Sequence, residues 1–171
     1  MLLTKQQKYL LAVLEQLGCA ERRQLAALLQ KTFAFSSHED AVRVTNACTR
    51  QMQMGGLLQI SDNIVSHCGK RAVSQQIEAI DVMLELSAAQ PESFYAVDKH
   101  TLLRFSLGEA SFKQFVIVSG SDPPPEHEIR RDEKIIVLLP DGTKPETFSY
   151  TRPVIFAIRQ ENGTHRFFAR K

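Results

Sequence analysis

Between Ser37 and Met54 the chain carries four side chains whose types and spacing suit recognition chemistry: Arg43, Asn46, Arg50 and Gln53. Their intervals of three, four and three residues place them on one side of a helix advancing about 100° per residue. Guanidinium forks pair with guanine edges and amides with adenine edges, so the stripe matches the donor and acceptor pattern of a DNA major groove. The opposite side offers Ala41, Val44, Cys48 and Met52 for burial. Ser37 and Asp40 have the form of a capping box at the helix start, and Gly55 supplies a left-handed exit at its end. A solvated helix face is the plainer account of the same four residues, because surface helices are polar outside. Glu39 shares their side and would meet phosphates unfavourably.

Other chemistry finds less in the sequence. Asp132-Glu133-Lys134 has the letters of the acid-x-Lys pattern that holds a divalent ion in restriction-type nucleases. It is expected to precede its strand, and Pro140-Asp141 has no acid-x-Lys in the following run IFAIRQ. His67 and Cys68 are strand neighbours pointing to opposite faces, and no CxxC or HxxxH spacing occurs, so no metal is expected. His100, His127 and His165 are isolated and read as surface or hydrogen-bonded histidines. No Walker loop or GxGxxG supports nucleotide binding. The expectation is a noncatalytic chain without a cofactor.

The elements that position the stripe come from the rest of the pattern. Thr4 with Gln7 caps a helix from Lys5 to about Leu17, which Gly18 stops. A second helix is expected from about Ala20 to Lys31, with Leu25, Leu28 and Leu29 inward and Arg22, Arg23 and Lys31 outward. Phe33-Ala34-Phe35 is an apolar connector under the third helix. After Gly55-Gly56, the runs LLQIS and IVSHC around Asp62-Asn63 read as a β-hairpin, followed by Lys70 and Arg71. A fourth helix from Val73 to Ala89 would bury Val73, Ile77, Ile80, Met83 and Leu84 and expose Glu78, Asp81 and Glu85. Gln90-Pro91 breaks it. Beyond lie strand-length runs: FYAV, LLRFSL, FKQFVIVSG, KIIVLLP and PVIFAIRQ, then a last strand from Thr164 after Asn162-Gly163. Phe115–Val118 and Ile135–Leu139 are continuously apolar, as central strands are, with a short helix over Glu126–Asp132 suggesting a parallel pair. Asp122-Pro123-Pro124-Pro125 is a stiff connector.

The whole chain has 171 residues and a formal net charge of +2. Residues 1–72 hold nine Lys/Arg against five Asp/Glu, and residues 73–171 hold twelve against fourteen. A basic first part and a mildly acidic second part suit a nucleic-acid module followed by something else. No apolar run is long enough for a membrane span, and the N-terminal stretch lacks the pattern of a signal peptide. Cys19, Cys48 and Cys68 are odd in number and widely spaced, which argues against a disulfide framework and for a reducing cytoplasm.

Three helices followed by a hairpin, with Arg43, Asn46, Arg50 and Gln53 on the third helix and Lys70 and Arg71 beside the hairpin, resemble the winged helix-turn-helix DNA-binding domains of bacterial regulators. More loosely, the order of parts is similar to the replication-relaxation proteins and related uncharacterised proteins of mobile elements. Those join a winged helix to a small α/β domain resembling a nuclease without its catalytic residues. The resemblance implies an α+β chain: a winged helix-turn-helix at residues 1–72, a linking helix at 73–90 and a small mixed α/β domain at 91–171. It implies a noncatalytic regulator of transcription or mobile-element replication that binds double-stranded DNA, with base contacts from the four stripe residues and phosphate contacts from Lys70 and Arg71. A homodimer would set two third helices about 34 Å apart. A protein partner on the C-terminal domain, or a winged-helix shape that binds protein and no DNA, are the alternatives.

Overall fold

Helix α1 (Lys5–Leu17) opens with a reciprocal capping box. The Gln7 amide N–H donates to Thr4 Oγ1 at 3.2 Å, and the Thr4 N–H donates to Gln7 Oε1 at 2.9 Å. Gly18, at φ 76°, ends the helix. The computed structural model describes residues 2–69, 73–108, 113–140, 148 and 150–169. They form four α-helices and two sheets, an α+β architecture, and divide into two units, Met1–Ile80 and Asp81–Lys171.

In the first unit the segment after Gly18 departs from expectation. Cys19–Glu21 is a strand, β1, and the second helix, α2 (Arg22–Thr32), starts only after it. Cys19 and Ala20 are fully buried there. Helix α3 (His38–Met54) follows, then β2 (Leu58–Ser61) and β3 (Ile64–His67), paired antiparallel across Asp62-Asn63. Asp62 sits at φ 53°, a conformation its short polar side chain tolerates. The hairpin is therefore where the sequence places it. β1 adds to its far side, giving the order β1-β3-β2. Phe33, after α2, meets the Tyr9 ring of α1 edge-on, with centroids 5.7 Å apart.

Helix α4 (Ser74–Ser87) spans the division between the units. Ala88 and Ala89, both at positive φ, turn the chain out of it. Ile77, Ile80 and Met83 are buried as expected, but Val73 is exposed and Asp81, expected outside, is buried. The reason is a wider buried face than one stripe: Ala79, Val82 and Ser87 are also inside.

The second unit is a six-stranded sheet whose spatial order repeats its chain order: β4 (Ser93–Ala96), β5 (Thr101–Leu107), β6 (Lys113–Ser119), β7 (Glu133–Leu139), β8 (Val154–Arg159) and β9 (His165–Ala169). β6, β7 and β8 run parallel, flanked by antiparallel neighbours. One face packs Val116, Val118, Ile135, Val137, Val154 and Phe156 against Ile129 and Phe148 from the connections. The other buries Ile117, Ile136, Leu138 and Ala157. Burial on both faces is what makes the inner strands read as unbroken apolar runs. The expected helix over Glu126–Asp132 shrinks to one 3-10 turn, Glu126–Glu128, because Ile129 turns extended and drops into the core. Gly120 lets the chain leaving β6 press on β7: its N–H donates to Leu138 O at 2.8 Å, and a Cβ would lie 2.3 Å from that oxygen.

Three carboxylates tie this unit together. Glu133 opens β7, accepts from Arg104 Nε at 2.7 Å and from the Arg130 amide at 3.0 Å, and is almost fully buried. Glu85 holds His165 twice, through Nδ1 at 2.9 Å and the backbone N–H at 3.0 Å. Glu126 accepts from the Thr151 amide at 2.8 Å, the Thr151 hydroxyl at 2.9 Å and the Arg152 amide at 3.1 Å. The Thr151 backbone bond, foremost, holds the Glu126 carboxyl below the usual range. Beside it, burial and then the Glu126 charge push Tyr150 up to about 12, and its hydroxyl donates to Pro124 O at 2.6 Å.

Two outcomes follow from these ties. Glu133→Gln strands the Arg104 guanidinium and should lower unfolding stability by roughly 3–5 kcal/mol, read as a shift of the urea midpoint. A carboxyl held low in the fold stabilises it fully above the unfolded pKa and loses that contribution as pH falls through the lower native value. Acidification below about pH 5 should therefore destabilise the wild type more steeply than Glu126→Gln, followed by denaturation at stepped pH.

Candidate nucleic-acid interface

The setting of α3 begins with what it buries: Ala41, Thr45, Cys48, Thr49 and Met52. Val44, placed in the apolar stripe by the sequence, is only half-buried, and the two threonines take the inner positions. They fit because a helical threonine can bond the preceding turn, as Thr49 Oγ1 does to Thr45 O at 2.9 Å. Burial pushes the Cys48 thiol pKa up, as expected of a small core residue rather than a reactive thiolate. Gln51 Oε1 accepts from Gln7 Nε2 of α1 at 2.8 Å, a further tie on the helix's rotation.

Both ends of α3 depart in detail from the sequence reading. Ser37 Oγ accepts from the Asp40 N–H at 3.1 Å, as a cap should. The Asp40 carboxylate does not complete the box; it accepts from the Ser37 hydroxyl at 2.9 Å and pairs with Arg43. At the other end Gly55 has φ −79°, and the left-handed residue is Gly56, at φ 73°.

Arg43, Asn46, Arg50 and Gln53 are all exposed. Three of them, Asn46, Arg50 and Gln53, line one open depression with Ala47 and with Arg22 of α2. Arg43 is outside that group, engaged by Asp40. The Ser37 hydroxyl, and after it the Arg43 guanidinium, hold the Asp40 carboxyl below its ordinary range. Among the described residues no ion pair involves Arg50. Lys70 and Arg71 lie outside the described residues. Arg22 is the residue the sequence reading left out of the interface. Its signal was present, since a basic residue opens α2, but the unrecognised strand β1 hid where that opening falls. The Arg22 amide donates to Asn63 O at 2.9 Å, which fixes the base of its side chain beside the hairpin turn.

The alternative chemical groupings do not converge. Glu133 and Lys134 lie inside β7 rather than ahead of it, and as strand neighbours they point to opposite faces. Glu133 is held by Arg104, while Lys134 lies over the Phe115 ring, 5.9 Å from its centroid. His165 is a buried, hydrogen-bonded histidine. Among the described residues no three His, Cys, Asp or Glu side chains are grouped to hold a metal ion, and no helix is long and apolar enough to cross a membrane. Comparison with protein-family models, curated proteins and solved structures finds no match.

The cap at Ser37 governs both the helix start and the Asp40 carboxyl. Ser37→Ala should cost about 1 kcal/mol of unfolding stability. It should also raise the Asp40 pKa in an NMR titration, because the largest cause of its depression is removed.

Proposed function

We propose that this chain is a noncatalytic, DNA-binding regulator of transcription or mobile-element replication. Its first unit would act as a winged helix-turn-helix and α3 would enter the major groove. The observation that carries this reading is the open face of α3, where Asn46, Arg50 and Gln53 share a depression with Arg22 while small residues hold the opposite face inside. The order of α1, β1, α2, α3, β2 and β3, with β1 paired to β3, supports it. Within it, three helices are followed by a hairpin, the order on which the resemblance to a winged helix-turn-helix rests. Arg50 is the first choice for a guanine contact, because Arg43 must first give up Asp40. The second unit would serve self-association or a protein partner, and the working compartment would be the cytoplasm.

A winged-helix shape that binds protein instead draws on two facts. Asp40 neutralises part of the exposed face, and Met54 at its end is 75% exposed. The two readings separate in a fluorescence-anisotropy titration against duplex DNA at low and moderate salt. Groove binding must weaken as salt rises, and Arg50→Ala should cost roughly 1–3 kcal/mol while relaxing sequence preference at one position. Absence of salt-dependent binding, or binding indifferent to both Arg43→Ala and Arg50→Ala, would refute the DNA reading and favour the protein partner.

A further inference from the structure

We propose that Arg22 and Arg50 form a notch for a phosphate group, with Asn46 and Gln53 as flanking amide donors. The proposal rests partly on the DNA reading, since a backbone phosphodiester is the occupant it favours, but the chemistry is that of any phosphate.

Two observations carry it. The first is convergence: two arginine side chains from different helices line one open depression, together with the small Ala47. Arginine forks match phosphate oxygens in pairs, and two such groups on one concave surface form an anion cradle. Glu21, the nearest acid in sequence to Arg22, is engaged by Arg23 rather than by Arg22.

The second observation is a frustrated donor. Arg22 Nε is buried and makes no hydrogen bond, although the residue as a whole is only half-buried. An orphaned buried donor is destabilising, and more so on a charged group. The Arg22 backbone is fixed by Asn63, so only the side chain is free to move. Swinging it out onto an anion would give Nε–H the acceptor it lacks, so the change of rotamer is offset by a donor satisfied. A side chain held in this way has a reason to respond to a phosphate that an ordinary solvated arginine lacks. Contacts to phosphate position a protein on the duplex without reading sequence, so Arg22 would hold the phosphate while Arg50 would divide its five N–H donors between that phosphate and a base edge.

The test uses the full chain and two probes. With duplex DNA, Arg22→Ala should weaken binding about tenfold on every sequence tried and reduce the salt slope by about one. Arg22→Lys, which keeps the charge but loses the fork, should recover only part of this and covers the case in which the alanine variant misfolds. With inorganic phosphate, NMR of the arginine side chains should show the Arg22 Nε–H resonance shifting on titration, and shifting less in Arg50→Ala. If the wild type binds duplex and both Arg22 variants bind as tightly, the notch is wrong and the groove reading stands. If the wild type ignores duplex but phosphate moves the Arg22 resonance, the groove reading is wrong and the notch takes a free phosphate. If neither probe acts, both are wrong.

Discussion

Helix α3 has two unlike faces and can bury only one of them. The part of the candidate interface that α3 supplies depends on that constraint. Ala41, Thr45, Cys48, Thr49 and Met52 go inside, and the geometry of 3.6 residues per turn then leaves Asn46, Arg50 and Gln53 outside. Rotating the helix by a single residue would carry an arginine toward the core, where an unpaired charge costs several kcal/mol. The Gln7–Gln51 bond secures the same setting from α1. The inner face is not ideal: Thr45 Oγ1 is buried without a hydrogen bond. That blemish is small beside the alternative of a buried guanidinium.

The second unit is governed by a different balance. Its parallel inner strands are covered on both faces, so its polar groups collect where strands begin, end and turn. Glu85, Glu126 and Glu133 all act there, on a histidine, on a pair of backbone amides and on an arginine. Each of these acids is already committed to holding the sheet. The two units thus spend their charged residues differently. The first leaves Asn46, Arg50 and Gln53 facing water on one helix face, and the second turns Glu85, Glu126 and Glu133 to its own backbone and side chains.

Most of this was legible in the sequence, for physical reasons that also explain what was not. Helices α1 and α3 announce themselves through caps and long periodic stripes, and the hairpins through Asp62-Asn63 and Asn162-Gly163. The inner strands are plain because an apolar run of that length, rich in Ile and Val, suits little else. Strand β1 was illegible because three residues contain no measurable period, and Cys19-Ala20-Glu21 fits the start of a helix equally well. That single miss also concealed Arg22, whose place at the depression depends on where α2 begins. Asp81 was misjudged because helical periodicity assigns a polar residue to water, and only tertiary packing reveals a helix whose buried face has widened. That Asp40 accepts from the Ser37 hydroxyl and from Arg43, rather than from the Ser37 amide of a capping box, is a choice among local donors that spacing alone does not decide.

Among the described residues, the sheet of the second unit keeps its strands in the order in which they are written, with no strand inserted between earlier neighbours. Each strand therefore finds its template in the one just completed, and no two consecutive strands are separated by more than 14 residues of chain. On a ribosome such a sheet can grow from one edge as residues emerge, with no waiting for a distant segment. Its parallel core, usually the slow part of an α/β domain, is here assembled from near neighbours, and the interval during which sticky apolar strands stand unpaired is correspondingly brief.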